Sequence, residues 1–196
     1  MNNPKKLFGL ILTGGFSKRM GHDKALLNYH GKPQVEHVFG LLSMYCSHVF
    51  LSKRKDQSTY KDFPFIDDDS SFQGGGPLIG ILSAMKAYPD ASFFVMACDL
   101  PFVSSDTLKY ILDNRDMNKY ATAFKSSSDG LPEPLCAIWE DKFYKRILEL
   151  FNQGIHCPRK ILIKSDVQLL NLLDQSWLDN VNEPSELNDT LKRLKK

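Results

Sequence analysis

The sequence has no long apolar run, no excess of charge of one sign and no closely paired cysteines. No stretch approaches the 18 or so apolar residues of a membrane span, so nothing here is expected to cross or enter a bilayer. Twenty-five Lys and Arg stand against 23 Asp and Glu, a net of +2. That balance argues against a dedicated nucleic-acid binder, whose footprint is a strongly basic face. It leaves room for a local cation cluster aimed at a small anion. Cys46, Cys98, Cys136 and Cys157 lie far apart, which excludes the spacings of a structural zinc site. Leu7 to Leu12 is too short, and too soon followed by Gly14-Gly15 and charges, to be a signal peptide. A soluble, cytoplasmic protein with reduced thiols is expected.

Several catalytic signatures are missing too. There is no G-x-x-x-x-G-K-[ST] loop and no G-x-G-x-x-G, which weakens P-loop, NAD and kinase readings. No Ser or Cys sits in a nucleophile elbow, and His22, His30, His37, His48 and His156 share no triad or metal spacing. His37 and His48 read as ordinary helix and surface residues. No linker or internal repeat divides the chain, so residues 1–196 are expected to form one domain.

What is present is 42% apolar residues, 13 Phe among them, enough to build a core. Leu7–Thr13 and Ser92–Ala97 are apolar on both faces, as buried parallel strands are. Val49–Leu51, Phe65-Ile66 and 167–172 are further strand candidates, and 118–139 reads as strand, polar turn at 126–130, strand. Helical spacing predicts helices over 34–46, from Pro77, after Ser104 or Ser105, over 140–152 and over 184–194. Strands alternating with helices give an α/β fold: an open, mostly parallel sheet with helices on both faces. Ligands of such sheets bind beyond the strands' carboxyl ends. That places Gly14-Gly15, Asp67-Asp68-Asp69 and Asp99 at the candidate site.

The string Leu12 to Lys24 carries the most chemistry. Gly14 and Gly15 let the backbone turn and present N–H groups to an anion, and Lys18, Arg19 and Lys24 follow as cations. This suits a triphosphate. Asp99, at the end of the second buried run and ahead of Pro101, suits an oxygen ligand for Mg²⁺ or a turn residue. Asp67 to Asp69 precede Gly74-Gly75-Gly76-Pro77, and Asn182 stands as a helix cap or a polar site residue.

Taken in order, these strings resemble the molybdenum cofactor guanylyltransferases, the MobA family of nucleotidyltransferases. The match runs Leu12-Thr13-Gly14-Gly15-x3-Arg19-Met20-Gly21-x-Asp23-Lys24, Gly31-Lys32-Pro33, Gly76-Pro77-Leu78-x-Gly80, Cys98-Asp99-Leu100-Pro101, Asp129-Gly130, Pro134 and Asn180-Val181-Asn182-x-Pro184. The resemblance implies a Rossmann-like, nucleotide-diphospho-sugar transferase-like fold. It implies a Mg²⁺-dependent enzyme that joins GMP from GTP to molybdopterin and releases pyrophosphate. Its implied partners are GTP and molybdopterin, with molybdoenzymes or other cofactor-assembly proteins receiving the product. The implied nucleotide-binding residues are Leu12, Thr13, Gly14, Gly15, Lys24, Ser52, Asp68 and Asp99, with Asp67 or Asp69 as neighbouring choices for Asp68. Arg19, Lys24 and Asp99 take the catalytic roles, Asp99 as the metal ligand. Arg159, Lys160 and Asn182 fall at the acceptor side. Thr13 replaces the family's common alanine, and Ser52 its asparagine. Two competitors remain: a cytidylyltransferase for the same or another phosphorylated acceptor, and a non-catalytic nucleotide-binding module.

Overall fold

The computed structural model describes residues 6–13, 24–54, 63–74, 76–181 and 186–194. Seven strands form one sheet in the order β3-β2-β1-β4-β6-β5-β7. The strands are β1 (Lys6–Leu12), β2 (His48–Lys53), β3 (Phe65–Asp67), β4 (Ala91–Ala97), β5 (Ala121–Lys125), β6 (Pro132–Trp139) and β7 (Val167–Leu170). The helices are α1 (Gln34–Ser43), α2 (Pro77–Ala87), α3 (Ser105–Asp113), α4 (Phe143–Asn152), α5 (Pro158–Ile163) and α6 (Leu187–Arg193). A 3-10 turn spans Lys24–Leu26.

The sheet is parallel at β1–β2, β1–β4, β2–β3 and β5–β7, and antiparallel only where β6 joins β4 and β5. The expected open, mostly parallel α/β sheet is therefore present. Alternation along β4 shows why both faces are apolar. Phe94 and Met96 pack toward α1 and α3, beside Val38, Leu42, Leu108 and Ile111. Phe93 and Val95 pack toward α2 and α4, beside Leu78, Ile81, Met85, Phe143 and Ile147. Every residue of β4 is buried, as a strand covered by helices on both sides must be.

Local signals behave as their chemistry dictates. Pro77 occupies the first turn of α2, where its missing N–H costs nothing. Of the two serines before α3, Ser104 is the cap: its hydroxyl accepts from Thr107 N and the Thr107 hydroxyl accepts from Ser104 N. The fourth helix begins at Phe143 rather than 140: the Glu140 N–H still donates across to the Tyr120 carbonyl at 2.9 Å, extending the β5–β6 pairing. Helix α5 had no sequence signal, since six residues are too few to show a 3.6-residue period. No helix among the described residues is long and apolar enough to cross a membrane.

Candidate active site

The chain reverses its direction of travel across the sheet between β3 and β4: β2 and β3 lie on one side of β1, and β4 lies on the other. A crevice opens beyond the carboxyl ends at such a switch point. Pairing aligns Leu12 with Ser52 on one side and with Ala97 on the other, and Lys53 with Asp67. Thr13, Asp68 and Asp99 therefore all emerge at the same end, just past their strands. Four strands separate Asp68 from Asp99 inclusively, a span of about 14 Å from three strand spacings.

On the β2–β3 side the polar groups are linked. Thr13 Oγ1 donates to the Ser52 carbonyl at 2.8 Å, and Ser52 Oγ donates to Asp68 Oδ1 at 3.1 Å. Burial pushes the Asp68 carboxyl above its ordinary value, against the Ser52 hydrogen bond and the nearby Arg54. The other two carboxylates are engaged elsewhere. Asp67 lies 3.8 Å from Lys53 Nζ. Asp69 accepts from Lys86 Nζ at 2.6 Å and from Ser71 N, which holds it well below the carboxylate range, and its own N–H donates to Ser83 Oγ on α2. Asp69 thus ties the loop to α2, while Asp68 is the carboxylate hydrogen-bonded to Ser52.

Helix α2 packs closely over this corner. A Cβ added at Gly80 would overlap Ser52 Oγ and lie 3.0 Å from Ser52 Cβ and 3.1 Å from Leu12 Cδ2. Glycine there lets α2 sit directly on Leu12 and Ser52. At the helix start, Gly76 has φ +49°, a left-handed conformation that costs glycine least.

On the β4 side lies a cleft of about 790 Å³. Asp99 and Leu100 form one wall, with Ser126 to Ser128 and Glu133 to Cys136 opposite, and residues 178–181 with Glu186, Asp189, Thr190 and Arg193 closing it. Because β6 runs antiparallel, its first residues arrive at the end where β4 finishes, with Cys136 opposite Met96. The lining carries five carboxylates (Asp99, Glu133, Asp179, Glu186 and Asp189) against the guanidiniums of Arg159 and Arg193. Arg159 pairs with Asp129 at 3.1 Å and Glu133 at 2.6 Å. Arg193 pairs with Asp179 at 2.6 Å and lies 4.2 Å from the Phe102 ring centre. Tyr29 is buried near Asp99 and Glu186, and burial with those two negative charges pushes its hydroxyl up to about 12. It stays a neutral phenol at any working pH.

No group of three or more His, Cys, Asp or Glu that could cage a metal occurs among the described residues. Mg²⁺ fits this donor set nonetheless, because it is usually held by one or two carboxylates together with substrate phosphates and water. Asp99, in an acidic cleft, is such a carboxylate.

Residues 9–169 match the MobA-like NTP transferase domain. The chain belongs to that family. Among its relatives, the "Molybdenum cofactor biosynthesis bifunctional protein" of Synechocystis is 37% identical across 92% of this chain; the chain spans about half of it, 52%. The "Probable molybdenum cofactor guanylyltransferase" of Bacillus mycoides is 28% identical across 92% of this chain and 94% of its own length. The crystal structure of molybdopterin-guanine dinucleotide biosynthesis protein A from Archaeoglobus fulgidus superposes with a TM-score of 0.76, covering 96% of this chain and 98% of that one at 22% identity. This last likeness speaks to the fold alone.

Within this family member, Leu12, Thr13, Ser52, Asp68 and Asp99 all lie at the carboxyl ends of β1 to β4. Arg159 lines the acidic cleft, whereas Lys160 is exposed and outside its lining. Gly14, Gly15, Arg19 and Asn182 lie outside the described residues, as does the side chain of Lys24. Sequence reasoning gave no role to Glu133, Asp129 or the Ser126–Ser128 turn. They reach the site through the antiparallel β5–β6 hairpin, and a rule about parallel strand ends does not reach them.

Proposed function

We propose that the chain transfers GMP from GTP to molybdopterin in a Mg²⁺-dependent reaction. The observation that carries the reading is the pairing of two unlike half-sites across the switch point. A linked Thr13–Ser52–Asp68 corner lies under α2, and an acidic cleft headed by Asp99 lies on the far side of β1. The span of about 14 Å between them suits an extended nucleotide. The corner takes the ribose and base, and Asp99 faces the phosphates. The names of the relatives supply the guanine and the pterin.

In this reading a terminal phosphate oxygen of molybdopterin attacks the α-phosphorus of GTP. One P–O bond forms, the bond to the bridging oxygen breaks, and the electron pair leaves with pyrophosphate. The attacking group is already an anion, so no general base is needed, and catalysis rests on positioning and charge stabilisation. Arg19 and Lys24 stabilise the α-phosphoryl group and the departing charge. Asp99 would hold Mg²⁺, and the ion would offset phosphate charge there. Arg159, Lys160 and Asn182 serve the acceptor side. Arg159 enters that role already held by Asp129 and Glu133, so an incoming phosphate exchanges with carboxylates rather than with water. We place this chemistry in the cytoplasm, with molybdoenzymes or cofactor-assembly proteins downstream.

The test is Asp99→Ala assayed for pyrophosphate release from GTP with molybdopterin across a Mg²⁺ series. Loss of turnover with an unchanged unfolding midpoint supports the role. Full Mg²⁺-dependent turnover refutes it.

A further inference from the structure

Asp99 is placed by the loop that follows it, and that loop is gripped from outside at four carbonyls. The Asp99 carbonyl accepts from Val181 N at 3.1 Å. The next three contacts all come from one segment, residues 30–37. Gln34 Nε2 donates to the Leu100 carbonyl at 3.4 Å, and His30 Nε2 to the Pro101 carbonyl at 2.9 Å. The His37 ring lies against the Val103 carbonyl, which favours its protonated form. The rings of His30 and His37 stack at 3.6 Å with 14° between their planes, which locks both rings in one orientation.

The gripping segment follows the Lys24–Leu26 turn directly. It is folded on itself by an Asn28–Pro33 bridge and by Gln34 N donating to the Leu27 carbonyl at 2.8 Å. The grip therefore joins the backbone just after Lys24 to the backbone just after Asp99. A simple loop anchor would be expected to satisfy its own polar atoms. Here Gln34 Oε1 and His37 Nε2 are both left buried and unpaired, which folding disfavours. An arrangement kept despite that cost is more often found beside a functional site than in a plain connection.

We propose that His30, Gln34 and His37 are positioning residues for nucleotidyl transfer. They set the separation between the Asp99 carboxylate and the segment that carries Lys24. The proposal rests on the reading that Asp99 holds Mg²⁺. None of the three residues touches the nucleotide. They act through the carbonyls of Leu100, Pro101 and Val103, and a small displacement of a positioned group is enough to slow a reaction that depends on alignment.

The experiment compares His30→Ala/His37→Ala, Gln34→Met (which keeps the volume and removes the donor), His37→Asn (whose side-chain amide can donate to the Val103 carbonyl) and Asp99→Ala. Each is assayed for pyrophosphate release from GTP with molybdopterin over a Mg²⁺ series, alongside its thermal midpoint. The double variant and Gln34→Met are expected to lose roughly ten- to a hundred-fold in kcat. They should need several-fold more Mg²⁺ for half-maximal rate, with the KM for GTP within about twofold of the parent. His37→Asn should recover most of the His37 contribution. If Asp99→Ala is inactive while the double variant and Gln34→Met keep parental kcat and Mg²⁺ dependence, the proposal is overturned and the Mg²⁺ reading survives. If Asp99→Ala keeps parental turnover, the Mg²⁺ reading fails first and takes the proposal with it.

Discussion

Ser52 Oγ donates to Asp68 Oδ1 at 3.1 Å and holds that carboxylate at the mouth of the sheet, where burial raises its pKa. A carboxyl whose folded pKa lies above its unfolded one favours the fold while protonated. Its contribution is present below the unfolded value of 3.8 and is lost as pH rises through the folded value. At neutral pH the ionised Asp68 therefore works against the empty protein. Asp68→Asn keeps an oxygen for Ser52 and removes the charge. Its thermal midpoint should exceed that of the parent at pH 7 and match it in strong acid, while the stabilisation by added GTP shrinks. Thermal scans with and without GTP at both pH values check this.

Gly80 governs the same corner from α2. Because an added Cβ would overlap Ser52 Oγ, Gly80→Ala should destabilise by about 1–3 kcal/mol, the usual range for overpacking. It should also weaken GTP binding, since Ser52 must shift to make room. Gly40 lies in α1 with only Lys32 Nζ nearby, at 3.7 Å. Gly40→Ala should therefore gain rather than lose, by about 0.5–1 kcal/mol from helix propensity. Urea unfolding of the pair, with GTP titration calorimetry, separates a clash from a general effect of adding a methyl group.

His37 sets an acid limit. Burial, with the neighbouring His30 and Lys32, lowers its pKa from 6.5 to about 4. The unfolded chain binds a proton more readily over that interval, so stability is full above pH 6.5 and declines as pH falls toward 4. His37→Asn should flatten the decline without abolishing it, because other groups also titrate there. Unfolding free energies at half-unit pH steps measure the slope.

At the opposite end of the sheet, Arg115 donates to both oxygens of the fully buried Glu140 at 2.7 and 2.8 Å, and Ser92 Oγ donates to it at 2.7 Å. Removing one partner strands a buried charge, so Arg115→Ala should cost about 3–5 kcal/mol. The network lies away from the strand carboxyl ends, so turnover of the folded fraction at low temperature should be unchanged. Urea midpoints and kcat measured on the same preparation test both halves.

Much of this architecture could be read from the chain because it depends on local pattern. Leu7–Thr13 and Ser92–Ala97 announce buried strands, Pro77 and Ser104 mark helix starts, and the rule about carboxyl ends picks out Asp67 to Asp69 and Asp99. What escaped depends on contacts distant in sequence. Nothing near residue 133 records that β6 runs antiparallel, yet that direction alone brings Glu133 to Arg159. What sets Asp67, Asp68 and Asp69 apart comes from Lys53 and Ser52 on β2 and from Lys86 on α2, all distant in sequence. His37 reads as an ordinary helix residue until the Val103 carbonyl and the His30 ring are placed against it.

The central claim is guanylyl transfer to molybdopterin, and a nucleotide panel tests it most directly. GTP, CTP, ATP and UTP are each incubated with the full chain, Mg²⁺ and molybdopterin, and pyrophosphate is measured. Release with GTP that depends on molybdopterin and on Mg²⁺, with the other nucleotides at background, is the predicted result. Faster release from CTP, or release from GTP that is indifferent to molybdopterin, would contradict it.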